Sequence, residues 1–160
     1  MSPLIETAWL LGDARAAAGD AAGSAEAYAL VVRGGKSTDP RTLSLFLSTR
    51  NKSAADNEES LKLAREEYET RKDIASEEAL AWALYRTGNV ADAKASIIRA
   101  RRLGTPDARL MFHEGAIRIA AGETAKGTAL VKAALKRNPA FDRDGVREAS
   151  ALLAERMAAR

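Results

Sequence analysis

The sequence predicts an all-α fold of stacked helical hairpins, and three observations support this prediction. The chain matches itself at a spacing of 34 residues, a period typical of helical repeats. Apolar residues make up 46% of the chain and are mostly Ala and Leu, which favour helix. Turn-forming residues separate segments of helix length. The positions that coincide at the repeat spacing are Ala81 with Gly115, Gly88 with Gly122, Ala91 with Ala125, Ala93 with Gly127, Ile97 with Val131, and Ala100 with Ala134.

The breaks in the first half of the sequence define four predicted helices. The first ends at Gly19-Asp20 and the second at Gly34-Gly35, because glycine is a common residue just after a helix. Asp39-Pro40 starts the third, since a capping side chain followed by proline favours a helix start. The fourth follows a polar loop at 51–57. The predicted ranges are 3–18, 22–33, 40–50 and 57–71.

Five further helices are predicted in the second half. Gly88-Asn89 separates the fifth from the sixth, and Gly104 ends the sixth. Thr105-Pro106-Asp107 offers a cap, an initiating proline and an acidic first turn to the seventh. Gly122 and Asn138-Pro139 bound the eighth. The predicted ranges are 74–87, 90–103, 107–121, 124–137 and 142–158.

Apolar stripes and short connections predict that consecutive helices pair. Each stripe follows the i, i+3, i+4, i+7 spacing of one helix face. Connections of about three or four residues force the two helices of a pair to run antiparallel. A hairpin of this kind cannot bury its apolar face alone, so it must stack on its neighbours. The stripes of the fifth and sixth helices are Leu80, Ala81, Leu84 and Ala93, Ile97, Ala100.

These residues resemble the tetratricopeptide repeat, a unit of 34 residues with small side chains where its helices cross. The matching positions are Leu80-Ala81, Leu84, Gly88-Asn89, Ala93, Ile97 and Ala100 in the third unit; Gly115, Gly122-Glu123, Gly127, Val131, Ala134-Leu135 and Pro139 in the fourth; and Leu11-Gly12, Gly19-Asp20, Ser24, Tyr28 and Val31 in the first. The second unit is degenerate, because Phe46-Leu47, Leu61 and Ala64 fit only loosely. The family's tryptophan slot holds Ala8, Glu77 and Met111, and its tyrosine slot holds Arg15, Leu84 and Arg118.

The resemblance implies one domain over 1–160, folded as a right-handed α-α superhelix (a solenoid) of about four helical hairpins plus a C-terminal capping helix. The units span about 3–38, 39–73, 74–107 and 108–141, and the capping helix spans 142–158. Small residues are expected at helix crossings and turns, where backbones approach closely. These structural positions are Gly12, Gly19, Ala81, Gly88, Ala93, Ala100, Gly115, Gly122, Gly127, Ala134 and Pro139.

The resemblance also implies a concave groove, lined by the first helix of each unit, that binds a peptide or a protein partner. Aromatic and arginine side chains are frequent anchors in such interfaces. An alternative is that Trp82 and Phe112 fill gaps between stacked helices. The residues expected to face the groove are Trp9, Asp13, Leu45, Ser48, Glu78, Trp82, Tyr85, Arg86, Arg109, Phe112, His113 and Ala116.

The sequence is also compatible with two other functions, self-association and nucleic-acid binding. Net charge is −4 over residues 1–85 and +7 over residues 86–160, which is compatible with head-to-tail self-association through an uncapped first unit. A basic stripe on the second helices could contact nucleic acid, although it lacks the interleaved aromatics that stack on bases. The stripe consists of Lys94, Arg99, Arg101, Arg102, Lys132, Lys136 and Arg137.

The sequence carries no recognisable catalytic or cofactor motif, so we expect neither an enzyme nor a bound metal. Gly35-Lys36-Ser37 lacks the upstream glycine of a phosphate-binding loop and is expected to be a loop that ends a helix. Ile117 stands where a zinc-protease helix beginning at His113-Glu114 needs its second histidine. The chain has no cysteine, no signal-peptide pattern and no stretch of roughly 20 apolar residues, so a cytoplasmic location is expected.

Overall fold

A computed structural model describes residues 4–158, and this part of the chain is all-helical. The helices fall close to the predicted ranges. They are α1 (Ile5–Ala17), α2 (Ala21–Thr38), α3 (Pro40–Arg50), α4 (Ala54–Thr70), α5 (Ile74–Arg86), α6 (Val90–Ala100), α7 (Ala108–Ala120), α8 (Thr124–Arg137) and α9 (Arg143–Ala158).

Consecutive helices pack in pairs, and each pair contacts the next along the chain. The pairs are α1 with α2, α3 with α4, α5 with α6, and α7 with α8. The second helix of each pair touches the first helix of the next, and the first helices also touch one another in the order α1, α3, α5, α7. One buried core therefore runs through all four hairpins, with Val31, Ala81, Ile97 and Val131 fully enclosed.

Small residues bring the two helices of the fourth hairpin into backbone contact. A Cβ atom added at Gly127 would lie 2.5 Å from the Gly115 carbonyl oxygen, and one at Gly115 would lie 2.9 Å from the Gly127 carbonyl oxygen. In the third hairpin, Ala81 and Ala93 are both fully buried. Small residues therefore lie where the helices of the third and fourth hairpins meet.

Three turns share one geometry, as the repeat predicts. Gly19, Gly88 and Gly122 have positive φ angles of 82°, 80° and 84°, a conformation that glycine adopts without strain. The residue after each glycine donates its backbone N–H to a carbonyl five residues earlier, which closes the helix end. Those bonds join Asp20 to Arg15 (2.9 Å), Asn89 to Leu84 (2.9 Å) and Glu123 to Arg118 (2.8 Å).

The arginines in the tyrosine slot stabilise the same turns by charge. Arg15 Nε lies 3.9 Å from Asp20 Oδ2, and Arg118 pairs with Glu123, so each arginine contacts the acid five residues later. The third unit has Leu84 in the slot and uses only the backbone bond. In the first and fourth hairpins an ion pair therefore reinforces the turn.

The predicted end of the second helix at Gly34-Gly35 is wrong, because α2 continues to Thr38. A helical glycine costs only about 1 kcal/mol relative to alanine, so it does not by itself end a helix. Gly35 is buried where α2 meets α3, and a Cβ atom there would come within 2.7 Å of Leu43 Cβ. Gly35-Lys36-Ser37 is thus helical and not a loop. Asp39 follows the last residue of α2, and its side chain caps α3 by accepting from the Thr42 N–H at 3.1 Å.

Three other predicted boundaries also move. The fourth helix begins at Ala54 instead of residue 57, because Ser53 accepts the Asp56 N–H at 3.1 Å and caps it. The sixth ends at Ala100, three residues early. The cap of α7 is Asp107, which accepts the Leu110 N–H at 2.8 Å, and not Thr105.

The degenerate second hairpin crosses through serines and not through Phe46-Leu47. Ser44 and Ser60 are both fully buried. Ser44 Oγ donates to the Ser60 carbonyl at 2.9 Å, and Ser60 Oγ donates to the Ser44 carbonyl at 2.8 Å. These short polar side chains allow α3 and α4 to approach, as alanine and glycine do in the other hairpins.

The last helix, α9, does more than cap the end of the array. It packs on α8 and α7, as a capping helix should, and it also reaches α3, two hairpins away. Pro139 lies in the exposed turn that precedes it. No helix within residues 4–158 has both the length and the apolar content needed to cross a membrane.

Candidate partner-binding face

The inner face consists of the sides of α1, α3, α5 and α7 that carry the residues predicted to line a groove. The structure brings four of those residues into one aromatic cluster, defined as Trp82, Tyr85, Phe112 and His113. The Trp82 ring stacks on Tyr85 with centroids 4.9 Å apart and on His113 at 3.9 Å, and it meets Phe112 edge-on at 5.4 Å. A separate contact at 5.5 Å joins Trp9 to Phe46.

Most of the predicted groove residues are buried. Trp82, Phe112 and His113 are 0% exposed, so the expectation that they face an open groove is wrong, and the alternative that such aromatics fill space between helices is supported. Trp9, Leu45, Ser48, Glu78 and Ala116 are also buried, whereas Asp13, Tyr85, Arg86 and Arg109 are partly exposed. Asp13 is engaged within the first hairpin, where it accepts the Tyr28 hydroxyl at 2.7 Å.

The segment after α8 covers part of the inner face. The ring centre of Phe141 lies 5.5 Å from that of Phe112, so Phe141 packs on the aromatic cluster. Glu148 of α9 accepts from both terminal nitrogens of Arg86, at 2.8 Å for Nη1. Asp144 of α9 lies 3.4 Å from Arg50 at the end of α3. The chain's own C-terminal helix therefore occupies a surface that the sequence assigns to a partner.

Arg86 is the centre of this contact. Its Nε donates to the Ser48 carbonyl at 2.7 Å, which fixes the guanidinium against α3. The guanidinium also lies 4.3 Å from the centre of the Trp82 ring, within the range of a cation–π interaction. One arginine thus connects α3, the aromatic cluster and α9.

Glu78 is a buried carboxylate of α5 held by two side chains of α7. Arg109 Nε donates to Glu78 Oε1 at 3.3 Å, and His113 Nδ1 lies 3.0 Å from the same oxygen. Burial by itself raises the pKa of Glu78, but the Arg109 charge and His113 outweigh it and bring the pKa from 4.5 to about 2. Glu78 is an anion that ties α5 to α7, and it is not free to bind a partner.

Asp142 lies in the connection between α8 and α9 and is also buried. Its side chain accepts the Gly145 N–H at the start of α9. Burial raises the pKa of Asp142 above its usual 3.8, and the Gly145 N–H, His113 and Arg109 offset that rise only in part. The buried groups of the inner face therefore include one carboxyl with a lowered pKa and one with a raised pKa.

The part of the inner face that α9 leaves uncovered is an open cleft of two adjoining cavities that share Glu6 and Arg109. The larger, of about 930 Å³, lies between the start of α7 and the end of α8. The smaller, of about 230 Å³, lies between α1, α3 and α5. The lining residues are Glu6, Pro106, Asp107, Ala108, Arg109, Met111, Ala133, Lys136, Arg137, Asn138 and Phe141 for the larger and Glu6, Trp9, Arg41, Thr42, Leu45, Ala75 and Arg109 for the smaller.

The basic stripe predicted on the second helices is interrupted by carboxylates. Lys94 pairs with Glu123, Arg99 Nε lies 2.7 Å from Glu77 Oε1, and Arg101 Nε lies 2.9 Å from Glu114 Oε2. Lys136 and Arg137 line the cleft instead. The stripe is therefore not the continuous positive surface that a nucleic-acid backbone requires.

Sequence reasoning missed the residues that close and line this face. The sequence predicts only a capping helix over 142–158, whereas Asp144 and Glu148 of this helix pair with Arg50 and Arg86. Their spacing of one helical turn was the available signal, since it places both acids on one side of α9. Arg41 at the cleft carried no signal that separates it from other surface arginines.

Within residues 4–158, no three acidic or histidine side chains converge in a way that could hold a metal ion. No known protein-family model matches the chain, and no curated protein matches it either. The resemblance to the tetratricopeptide repeat therefore depends on the repeat pattern and on the helix pairing described above.

Proposed function

We propose that this protein is an interaction module of the tetratricopeptide-repeat type, with its four hairpins forming a right-handed superhelix and its inner face binding a peptide or protein partner. The observation that carries the proposal is the open cleft. Three side chains that are not buried, Glu6, Arg41 and Arg109, line it from three different hairpins. A ligand in the cleft would contact the first, second and fourth hairpins at once.

The charges at the cleft indicate which partner it would accept. Arg41, Arg109, Lys136 and Arg137 contribute positive charge, whereas Glu6 and Asp107 contribute negative charge. Arg109 is already paired with Glu78, so the remaining cations are the ones available to a ligand. An acidic peptide segment fits this balance, because complementary charge favours encounter and fixes orientation.

We favour binding over catalysis because of where the titratable side chains lie. His113 is the only histidine of the chain, and it is fully enclosed by the aromatic cluster and Glu78. It would not reach a substrate held in the cleft. The cleft's own polar side chains suit contact with a charged partner.

Selection from a display library of random peptides, using the full chain as bait, tests this proposal. Enriched peptides should be acidic, and the double variant Arg41→Glu/Lys136→Glu should weaken their binding by at least about tenfold. Arg102→Glu serves as the matched control, since Arg102 is an exposed arginine outside the cleft. An absence of enriched peptides, or equal binding by the double variant and wild type, would refute the cleft as a binding site.

Self-association through the first hairpin is a second candidate, favoured by its exposed apolar side chains. Leu10 is 57% exposed and Leu11 43% exposed on α1, and Leu30 is 41% exposed on α2. Light scattering over a range of concentrations should show a rising mass, and Leu10→Glu/Leu11→Glu should abolish the rise. A constant monomer mass at high concentration would rule this candidate out.

A further inference from the structure

Few residues of α9 are buried against the rest of the protein. It has 16 residues, and only Gly145 and Ala149 are buried among them. By contrast, α7 buries nine of its 13 residues. Segments with few buried contacts open at low free-energy cost. α9 is therefore the helix most easily released from the inner face.

The ion pairs that hold α9 lie at its N-terminal half and are specific, whereas Leu152 and Leu153 of its second half pack against the core. Asp144 and Glu148 stand one turn apart and meet arginines from two different hairpins, Arg50 and Arg86. Gly145 and Ala149 follow those acids immediately and are the two buried residues. This acid–small–x–x–acid–small pattern is a recognition code that another helix could carry.

The surface beneath α9 has the composition of a helix-binding site. The Arg86 side chain donates to the Ser48 carbonyl and lies over Trp82, so α3 and α5 hold its charge in place without α9. Tyr85 beside it is partly exposed. Fixed aromatic and arginine side chains are frequent energetic centres of interfaces. An acidic helix that lays its small residues on this surface would satisfy both arginines.

We propose that the surface formed by Arg50, Tyr85 and Arg86 binds an acidic amphipathic helix of another protein, and that α9 is an internal occupant which such a helix displaces. This inference rests on the proposed function, in that the inner face binds partners, but it concerns a different part of that face from the cleft. The partner helix would carry two acids four residues apart, each followed by a small residue.

The tether of α9 sets the conditions for displacement. Only residues 138–142 separate α8 from α9. A short linker gives a tethered segment an effective concentration on the order of mM, so α9 outcompetes a free helix of equal affinity. A partner therefore gains access when the two ion pairs of α9 are weakened, or when its own affinity is much higher.

The experiment uses the full chain and a fluorescent peptide with the sequence of residues 139–158, followed by anisotropy. The variant Asp144→Lys/Glu148→Lys should release its own α9 and bind the peptide at least about tenfold more tightly than wild type does, because the tethered competitor is removed. Ser150→Lys is the matched control, since Ser150 is an exposed residue of the same helix and should leave binding as in wild type. A peptide carrying lysine at both acidic positions should bind at least about tenfold more weakly.

Hydrogen exchange on the same variants reports whether α9 is released. Fast exchange of the α9 amides in the double variant, together with peptide binding, supports the inference. Continued protection of those amides, absence of binding by a variant whose α9 is released, or equal binding of the lysine peptide would overturn it. Asp144→Asn/Glu148→Gln replaces the double variant if charge reversal prevents folding. If these variants still bind the peptides selected with the cleft, a negative result counts against the displacement of α9 and not against the cleft as a binding site.

Discussion

At the scale of single residues, the two glycines of the fourth hairpin have opposite effects on local and tertiary stability. Alanine is a better helix former than glycine by about 1 kcal/mol. Gly127→Ala should nevertheless destabilise the protein by about 1–3 kcal/mol, because its Cβ atom would lie 2.5 Å from the Gly115 carbonyl oxygen and 2.9 Å from the Ile119 nitrogen. Urea unfolding followed by circular dichroism measures the difference.

The control for this substitution is a helical glycine where an added methyl group would meet only the end of a side chain that can shift. At Gly34 the nearest atom to an added Cβ is the end of the flexible Ile5 side chain, at 3.0 Å. Gly34→Ala should leave the free energy of unfolding unchanged or raise it by up to about 1 kcal/mol. Equal stability of the Gly127→Ala variant and wild type would show that the α7–α8 crossing is looser than described.

Glu78 should make the protein sensitive to acid. Its pKa is about 2 in the folded protein and 4.5 when unperturbed, so its contribution is present above pH 4.5 and is lost as the pH falls towards 2. The difference corresponds to about 3 kcal/mol, because one pKa unit is worth about 1.4 kcal/mol. Glu78→Gln should therefore destabilise the protein near pH 7, and the gap to wild type should narrow below pH 4.5.

Asp142 acts in the opposite direction and must be separated from Glu78. A raised folded-state pKa means that Asp142 favours folding at low pH and that this contribution is lost as the pH rises through its folded pKa. Comparing Glu78→Gln with wild type at each pH leaves only the coupling of Asp142 to Glu78 through Arg109 and His113, since both proteins contain Asp142. A gap that stays constant from pH 7 to pH 2 would contradict the assignment of the lowered pKa to Glu78.

Individual residues also show what the sequence could reveal. Gly19, Gly88 and Gly122 were predictable because a left-handed turn residue has few chemical alternatives. From the sequence alone, Arg15 and Arg118 are only departures from the repeat pattern. Their role depends on Asp20 and Glu123, which lie beside them in the structure. Such pairings depend on where a side chain points, which the repeat period does not determine.

At the scale of helices, the buried serine pair stabilises the α3–α4 crossing as a unit. Ser44 and Ser60 each donate to the other's carbonyl, and their hydroxyls lie 3.0 Å apart. Ser44→Ala and Ser60→Ala should each cost about 1 kcal/mol, and the double variant should cost less than their sum, because the contact between the two hydroxyls is lost in both single variants and is counted twice in the sum. A double-mutant cycle by urea unfolding checks this, and strict additivity would show that the hydroxyls act independently.

The errors in the predicted helices share a cause with this serine pair. The repeat pattern places Phe46-Leu47 at the helix crossing of the second hairpin, because it predicts apolar residues or glycine there. Serine is also small enough to take that position. The sequence predicts a turn at Gly34-Gly35 because glycine often ends helices. In the structure Gly35 is helical and provides room for Leu43. In both cases tertiary packing, and not local preference, determined the outcome.

At the scale of the whole molecule, the period predicted which helices pair but not what covers the inner face. Positions 34 residues apart lie in equivalent places of neighbouring hairpins, so the pattern describes contacts between neighbours. The pairing of Arg50 with Asp144 joins the second hairpin to the last helix and has no counterpart in the repeat. The aromatic cluster, Arg86 and Arg109 were visible in the sequence, whereas Arg41, Arg50 and the acids of α9 were not.

This long-range contact should make the array unfold more cooperatively than a simple stack of repeats. In such a stack each hairpin contacts only its neighbours, so parts of it can unfold separately. α9 ties the ends of α3 and α5 to the last hairpin through Arg50 and Arg86. Glu148→Arg should break one tie, costing about 2 kcal/mol from the lost charged hydrogen bonds, and should also lower the m-value in urea.

The m-value distinguishes loss of coupling from simple loss of stability. A substitution that only weakens the folded state shifts the urea midpoint and leaves the slope unchanged, whereas separate unfolding of parts broadens the transition and lowers the apparent slope. Ser150→Arg on the exposed side of α9 should change neither quantity. If Glu148→Arg moves the midpoint with an unchanged m-value, and circular dichroism and tryptophan fluorescence still give coincident transitions, α9 adds stability without coupling the hairpins. If fluorescence, which reports on Trp9 and Trp82, loses its coincidence with circular dichroism, the hairpins depend on α9 to unfold as one unit.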